Sequence, residues 1–227
     1  MQKYPRFLVS FLLGERGIVQ VNPTKLGLKI ASSKVEYSIF SPRRIHLANP
    51  YASGSRSSRV HPLLRRFFLP HPLLSVEVLE WKKFLTLKDY FENLESPKRS
   101  KLYALMIQKI EKHGVYKHKN DKLYCEADVK ILFEQKMKPL FETMRDNGYD
   151  TSIASDIGAV FIDSDGRLVK GSGADHRFCA ARLVGLQQIP LRVQGVSQDW
   201  YAREVGQKMD VKRLGEAIAR AAQRTSK

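Results

Sequence analysis

One stretch limits the fold more than any other: VFIDSDGRLVKGSGADHRFCAARLVGLQQIPLRV, Val160 to Val193. The apolar run "AVFID" reads as a strand, "SDG" as a turn, and "RLVKGSG" as a second strand that runs into two glycines. "DHRFCAARLVGL" then reads as a helix, with small residues at Ala180 and Ala181 where a helix must lie close against a sheet. "IPLRVQGV" returns to strand composition. Hairpin, glycine loop, helix and strand in this order call for a small sheet with a helix laid along it.

The rest of the chain is read around that core. Residues 5–40 alternate short apolar runs with turn residues, and "VEYSIF" reads as a strand ending at Ser41-Pro42. Residues 42–74 are rich in Pro, Ser, Gly and Arg and predict an exposed loop, with "HPLLRRFFLPHPLL" as a docking segment. From residue 76 the spacing becomes helical, in "SVEVLEWKKFLTLKDYFENLES" and in "SKLYALMIQKIEKHG", where Gly114 supplies the stop. "YKHKNDKLY" reads as a polar connector. "EADVKILFEQKMKPLFETMRDNG" is a further helix that Pro139 should kink or break. "SQDWYAREV" starts a helix, and "KMDVKRLGEAIARAAQRTSK" is a terminal amphipathic helix with a frayed basic tip. The expected class is α+β: a small mixed sheet with a helical insertion. The expected divisions are residues 1–75, 76–125, 126–205 and 206–227, as one domain with an insertion or as two domains.

Length and composition set the bounds. A chain of 227 residues with 43% hydrophobic content and mean hydropathy −0.35 has the make-up of a soluble globular protein with one sizeable core. The formal charge is +16, and +10 of it falls in residues 1–75, which carry 12 Lys/Arg against 2 Asp/Glu. Such an excess favours anionic partners: nucleic acid, anionic lipid or phosphorylated small molecules. The two cysteines, Cys125 and Cys179, form no CxxC pair, which argues against a disulfide framework or a thiolate zinc site and fits the reducing cytoplasm. The apolar run Phe7–Leu13 is broken by Ser10 and is too short to span a bilayer. It reads as a strand or short helix packed on the fold.

A glycine loop leading into a helix start forms a ready anion site, because the first helical N–H groups have no internal partner and the macrodipole adds positive charge. Gly171 and Gly173 allow unusual backbone angles and close approach of a phosphate. Ser172 adds a hydroxyl, Asp175 suits an N-cap, Arg177 offers a bidentate fork, and His176 can donate a hydrogen bond or relay a proton. Each residue also has a plainer reading. Gly-Ser-Gly is a common turn, Asp175 a simple cap or salt-bridge partner, His176 a structural histidine, and Cys179 a small core residue. Asp163 and Asp165 in "IDSDG" could pair on a metal, but a hairpin turn uses the same residues and is the favoured reading.

Taken together, the pattern resembles the ParB/sulfiredoxin-like superfamily: Asp163 to Gly166, Gly173 to Arg177, Ala180-Ala181, Gly185 and Ile189-Pro190-Leu191. "SQDWY" resembles the tail of a poorly characterised branch of that superfamily. The resemblance covers residues from about 130 to 202. It implies nucleotide binding (ATP, ADP or CTP, with Mg²⁺ as companion ion), with Gly171, Ser172, Gly173, His176 and Arg177 as phosphate ligands. Where sulfiredoxins carry a reactive cysteine before the His-Arg pair, this chain has Asp175, which argues against that activity. The Gln194–Lys227 segment is too short for the DNA-binding and dimerisation modules of ParB proper. A serine kinase of the superfamily places an acid near its nucleotide, and Asp175 is the candidate base for such a role.

Three readings follow. The first is a cytoplasmic nucleotide-binding enzyme, a kinase or nucleotide hydrolase acting on a small hydroxyl-bearing substrate. The second is a DNA- or RNA-associated protein that binds through its basic N-terminal third, with the ParB-like core regulatory or degenerate. The third is a scaffold in which residues 42–74 dock a partner.

Overall fold

The structure is a computed structural model and describes residues 6–30, 67–69, 73, 75–118, 121–152 and 157–226. The expected strand "VEYSIF" and the loop from 42 to 66 lie outside the described residues. The chain divides into two compact units, each described by itself. The first comprises Met1–Val78, Thr151–Asp175 and Gln187–Lys227. The second comprises Leu79–Asp150 and His176–Leu186.

The first unit is built on a seven-stranded mixed sheet. In chain order its strands are β1 (Ile18–Val21), β2 (Leu28–Ile30), β3 (Phe68–Leu69), β4 (Ser75–Glu77), β7 (Gly158–Ile162), β8 (Leu168–Lys170) and β9 (Ile189–Ser197). They run β1-β9-β7-β8-β2-β4 across the sheet, and β3 joins the far end of β9 in parallel. The β7–β8 hairpin is antiparallel, while β7–β9 and β2–β8 are parallel. Every residue of β7 is buried, so both faces of the sheet are covered there. On one face Ile30, Leu69, Ala159, Phe161 and Val169 form a cluster. Helices α1 (Arg6–Leu13) and α8 (Val211–Ser226) pack with β1 and β9. Burial of Leu214, Ala217, Ile218, Ala221 and Ala222 follows the 3.6-residue stripe of α8. The class is α+β, as the sequence predicts.

Between them lies α7 (Gln198–Glu204), which explains "SQDWY" in structural terms. The Ser197 hydroxyl accepts from Asp199 N at 3.2 Å and caps the helix. Trp200 is 1% exposed and lies so close to Gly166 that a Cβ there would be 2.9 Å from its indole Nε1. The Tyr201 hydroxyl donates to Lys208 O and accepts from Asp210 N, which pins the approach to α8.

The second unit is mainly helical. It holds α2 (Lys82–Glu92), α3 (Lys101–His113), α4 (Glu126–Leu132) and α5 (Lys138–Asn147), with the hairpin β5 (Tyr116–His118) and β6 (Asp121–Leu123). The Ser100 hydroxyl accepts from Tyr103 N at the start of α3, and Gly114 ends that helix with φ +71°. Its core is aromatic: Tyr90 and Tyr103 meet Phe133 edge-on at 4.7 and 5.3 Å between ring centroids.

Three expectations need correction. Residues 75–77 form strand β4 against β2, and Val78–Glu80 a 3₁₀ turn, where the sequence suggests helix from residue 76. The alternation Val76, Val78 is a strand signal, and β2 supplies its partner. "YKHKNDKLY" is the β5–β6 hairpin and not a connector; its strands are polar because they stay largely exposed. The disturbance expected at Pro139 sits one turn earlier, as a π-helical turn over Phe133–Met137. Pro139 has no N–H and its ring crowds the carbonyl four residues back, so the widened turn absorbs it and leaves Pro139 in the first turn of α5.

Candidate functional site

Two turns bracket β8, and their hydrogen bonds run in opposite senses. In the first, Asp163 Oδ1 accepts from the backbone N–H groups of Asp165 and Arg167, both at 2.9 Å. Its Oδ2 accepts from Arg167 Nε at 2.8 Å, and Asp165 pairs with Arg167 as well. The pairing with Asp163 holds the Arg167 guanidinium above its ordinary pKa. Asp163 is therefore the staple of a hairpin turn that Gly166 completes with φ +85°. No group of three or more His, Cys, Asp or Glu able to hold a metal occurs among the described residues.

The second turn, Gly171 to Asp175, is organised by two lysines that sequence reasoning passed over. Lys29 on β2 and Lys170 on β8 are register partners in the parallel pair. They lie on the face opposite the Phe161 cluster, since strand side chains alternate. The Lys170 side chain is fully buried and Lys29 nearly so. Lys170 Nζ donates to Gly171 O and Gly173 O at 2.8 Å each, and to Asp175 Oδ1 at 3.2 Å. Lys29 Nζ donates to the same Gly171 O at 3.2 Å. A buried ammonium persists only with such partners. The sequence signal was available: in "LGLKI" and "RLVKG" a lysine stands among apolar strand residues.

These bonds orient the loop. In a trans peptide the C=O and the following N–H point in opposite directions, and no peptide bond among the described residues is cis. Drawing Gly171 O and Gly173 O onto the lysines therefore turns the N–H groups of Ser172 and Ala174 away from them. Gly173 is exposed, and Ser172 and Ala174 are half-buried. Helix α6 (Asp175–Leu183) starts directly after, with Asp175 as its first residue.

The two glycines play different parts. Gly173 has φ +85°, and Ala174 after it has φ +48°, a conformation that alanine rarely adopts and that the sequence gave no reason to expect. Gly171 has no such angle. A Cβ there would lie 2.7 Å from a Phe161 ring carbon and 2.9 Å from Ala159 Cβ, so glycine is needed for packing on β7. Its N–H bonds Ala159 O, and Ser172 O accepts from Ala159 N. The expectation that Gly171 admits a phosphate through unusual backbone angles is thus corrected.

The division between units falls after Asp175, so His176 and Arg177 belong to the second unit. There the His176 ring is 6.3 Å from that of His118, centroid to centroid. The Arg177 guanidinium carbon is 5.7 Å from the centroid of the Tyr149 ring. Burial pushes the Tyr149 hydroxyl's pKa up, and the Arg177 charge opposes that shift. The hydroxyl itself has no partner in hydrogen-bonding geometry, so the guanidinium acts across the ring face. Cys179 is fully buried and Cys125 exposed, and neither is in a disulfide. Two clefts are lined by other residues altogether, one by β1 and α8 and one by Asp121, Lys136 and their neighbours. Comparison of the chain with family models, curated proteins and solved structures gave no match. No helix among the described residues is long and apolar enough to cross a membrane.

Proposed function

We propose that the Gly171–Asp175 loop binds a phosphate group of a nucleotide, and that the protein is a phosphoryl-handling member of the ParB/sulfiredoxin-like superfamily. The observation that carries this reading is the pair of buried lysines drawing the loop carbonyls inward. That arrangement presents the Ser172 and Ala174 N–H groups at an exposed glycine, beside a helix start whose dipole favours negative charge. The resemblance adds His176 and Arg177 to the ligand set. The matching reaction class is phosphoryl transfer to a small hydroxyl, or nucleotide hydrolysis, in which positioning and charge neutralisation do most of the catalysis.

Asp175 takes a specific place in this reading. Its Oδ1 balances the buried Lys170 charge, which makes it a positioning residue for the loop. An Asp175→Asn variant separates this from the general-base role. Loss of turnover with unchanged nucleotide affinity and folding stability identifies a base; loss of affinity together with stability identifies the positioning role.

The test is calorimetric titration with ATP, ADP, CTP and GTP, with and without Mg²⁺. Saturable binding by at least one nucleotide is expected, weakened at least tenfold in Arg177→Ala. Absence of heat with every nucleotide, or equal affinity in Arg177→Ala, overturns the proposal.

A further inference from the structure

Strand β1 lies at one end of the sheet order, and its one strand partner among the described residues is β9. The register pairs Ile18 with Arg192, Val19 with Leu191, Gln20 with Pro190 and Val21 with Ile189. Proline has no N–H, so Pro190 cannot exchange both bonds with Gln20. The narrow hydrogen-bonded pairs are therefore Val19–Leu191 and Val21–Ile189. It follows that Ile18 and Gln20 turn their N–H and C=O groups to the outer edge. Neither residue has another hydrogen bond to the described residues. The sequence "IVQV" carries none of the usual protection of an edge: no lysine, no proline and no bulge in its register.

A cleft of about 400 Å³ runs beside that edge. Ile18, Val19 and Gln20 all line it, although successive strand side chains point to opposite faces. Three consecutive residues meet one cleft when the strand presents its backbone edge to it. The facing wall is α8, where Gly215, Ala219 and Ala222 keep the helix surface low. Arg16 closes one end. Its stem lies across Gly215, so near that a Cβ on the glycine would be 3.1 Å from Arg16 Cδ. Arg16 is exposed and makes no ion pair with the described residues.

We propose that this edge and cleft are a docking site for an extended, acidic peptide segment of a partner protein, which adds to β1 as a strand and places a carboxylate on Arg16. Backbone bonds to Ile18 and Gln20 supply affinity without regard to sequence, as in other cases of strand addition. The low wall of α8 accepts alternate apolar side chains, and the guanidinium selects a carboxylate. The formal charge of +16 favours the same acidic partner at encounter. This site is independent of the phosphate reading, because it shares no residue with the Gly171–Asp175 loop.

The experiment is fluorescence anisotropy with the full chain and three labelled octapeptides. One alternates valine with glutamate, one replaces glutamate by lysine, and one repeats the first with alternate amides N-methylated. Saturable binding of the acidic peptide is expected, with at least tenfold weaker binding of the other two. Gln20→Pro, which removes an outward N–H, and Arg16→Glu, which keeps the backbone, should each weaken the acidic peptide at least tenfold while circular dichroism stays unchanged. Equal binding of the acidic and lysine peptides, indifference to N-methylation, or no binding at all overturns the proposal. So does a dimer in sedimentation velocity that Arg16→Glu dissolves and the acidic peptide does not displace, since the edge would then pair with a second copy of this chain.

Discussion

The turns on either side of β8 contain similar residues, an aspartate and one or two glycines, and end up with opposite uses. In Asp163–Arg167 the carboxylate accepts from two turn amides and a guanidinium, so the turn closes on itself. In Gly171–Asp175 the carboxylate answers a buried ammonium, and it is the carbonyls that are consumed from within. The first turn spends its donors inward and the second faces them outward. Which atoms a turn satisfies internally decides whether it can serve a ligand, and glycine content alone does not.

Replacing Lys170 with Met should have the largest effect of any change to either turn. It removes three hydrogen bonds and strands Asp175, and breaking a buried pair in this way costs roughly 3–5 kcal/mol. Urea denaturation measures it; a loss under 1 kcal/mol would mean that the lysine does not organise the loop. Next come the glycines. Gly171→Ala should cost about 1–3 kcal/mol through overpacking on Phe161, with partial recovery in a Phe161→Leu background. Gly173→Ala has open space around it and should cost about 1 kcal/mol, from its positive φ, with no recovery in that background. Equal rescue of both would erase the distinction drawn between packing and conformation. Asp163→Asn comes third, at about 1–2 kcal/mol for weakened charge-assisted bonds, with nucleotide binding unchanged. A fall in nucleotide affinity there would show that the two turns are not functionally separate.

An alkaline titration isolates the second unit from both turns. Burial, with Glu126 accepting its hydrogen bond, pushes the Tyr103 hydroxyl up to about 12 from the usual value near 10. A raised phenol pKa contributes stability that is complete below pH 10 and is lost as pH climbs through about 12. Tyr103→Phe should flatten that part of the stability profile, followed by denaturant midpoint against pH. An unchanged slope would remove Tyr103 as its source.

Much of the architecture was legible because it follows from period. The α+β class, the β7–β8 hairpin, the glycine-led start of α6 and the stripe of α8 are all visible as alternation or 3.6-residue spacing. The misreadings at Ser75–Glu77 and Tyr116–Leu123 come from short polar strands, whose partners in sequence-distant segments fix them and whose own residues do not. For the site, the glycines and the helix start were visible, but the organising groups were not. Lys29 and Lys170 lie 141 positions apart in sequence and meet only because β2 pairs with β8. The positive φ of Ala174 has no signature in an alanine at all.

The most direct measurement of the central claim is a ¹⁵N–¹H titration of the labelled protein with the nucleotide that calorimetry selects. The lysine-organised loop requires the Ser172 and Ala174 amide resonances to shift saturably, with the same Kd as the calorimetric one, while those of Asp165 and Arg167 stay in place. Saturable binding that leaves Ser172 and Ala174 unmoved, or that shifts both turns alike, would contradict it.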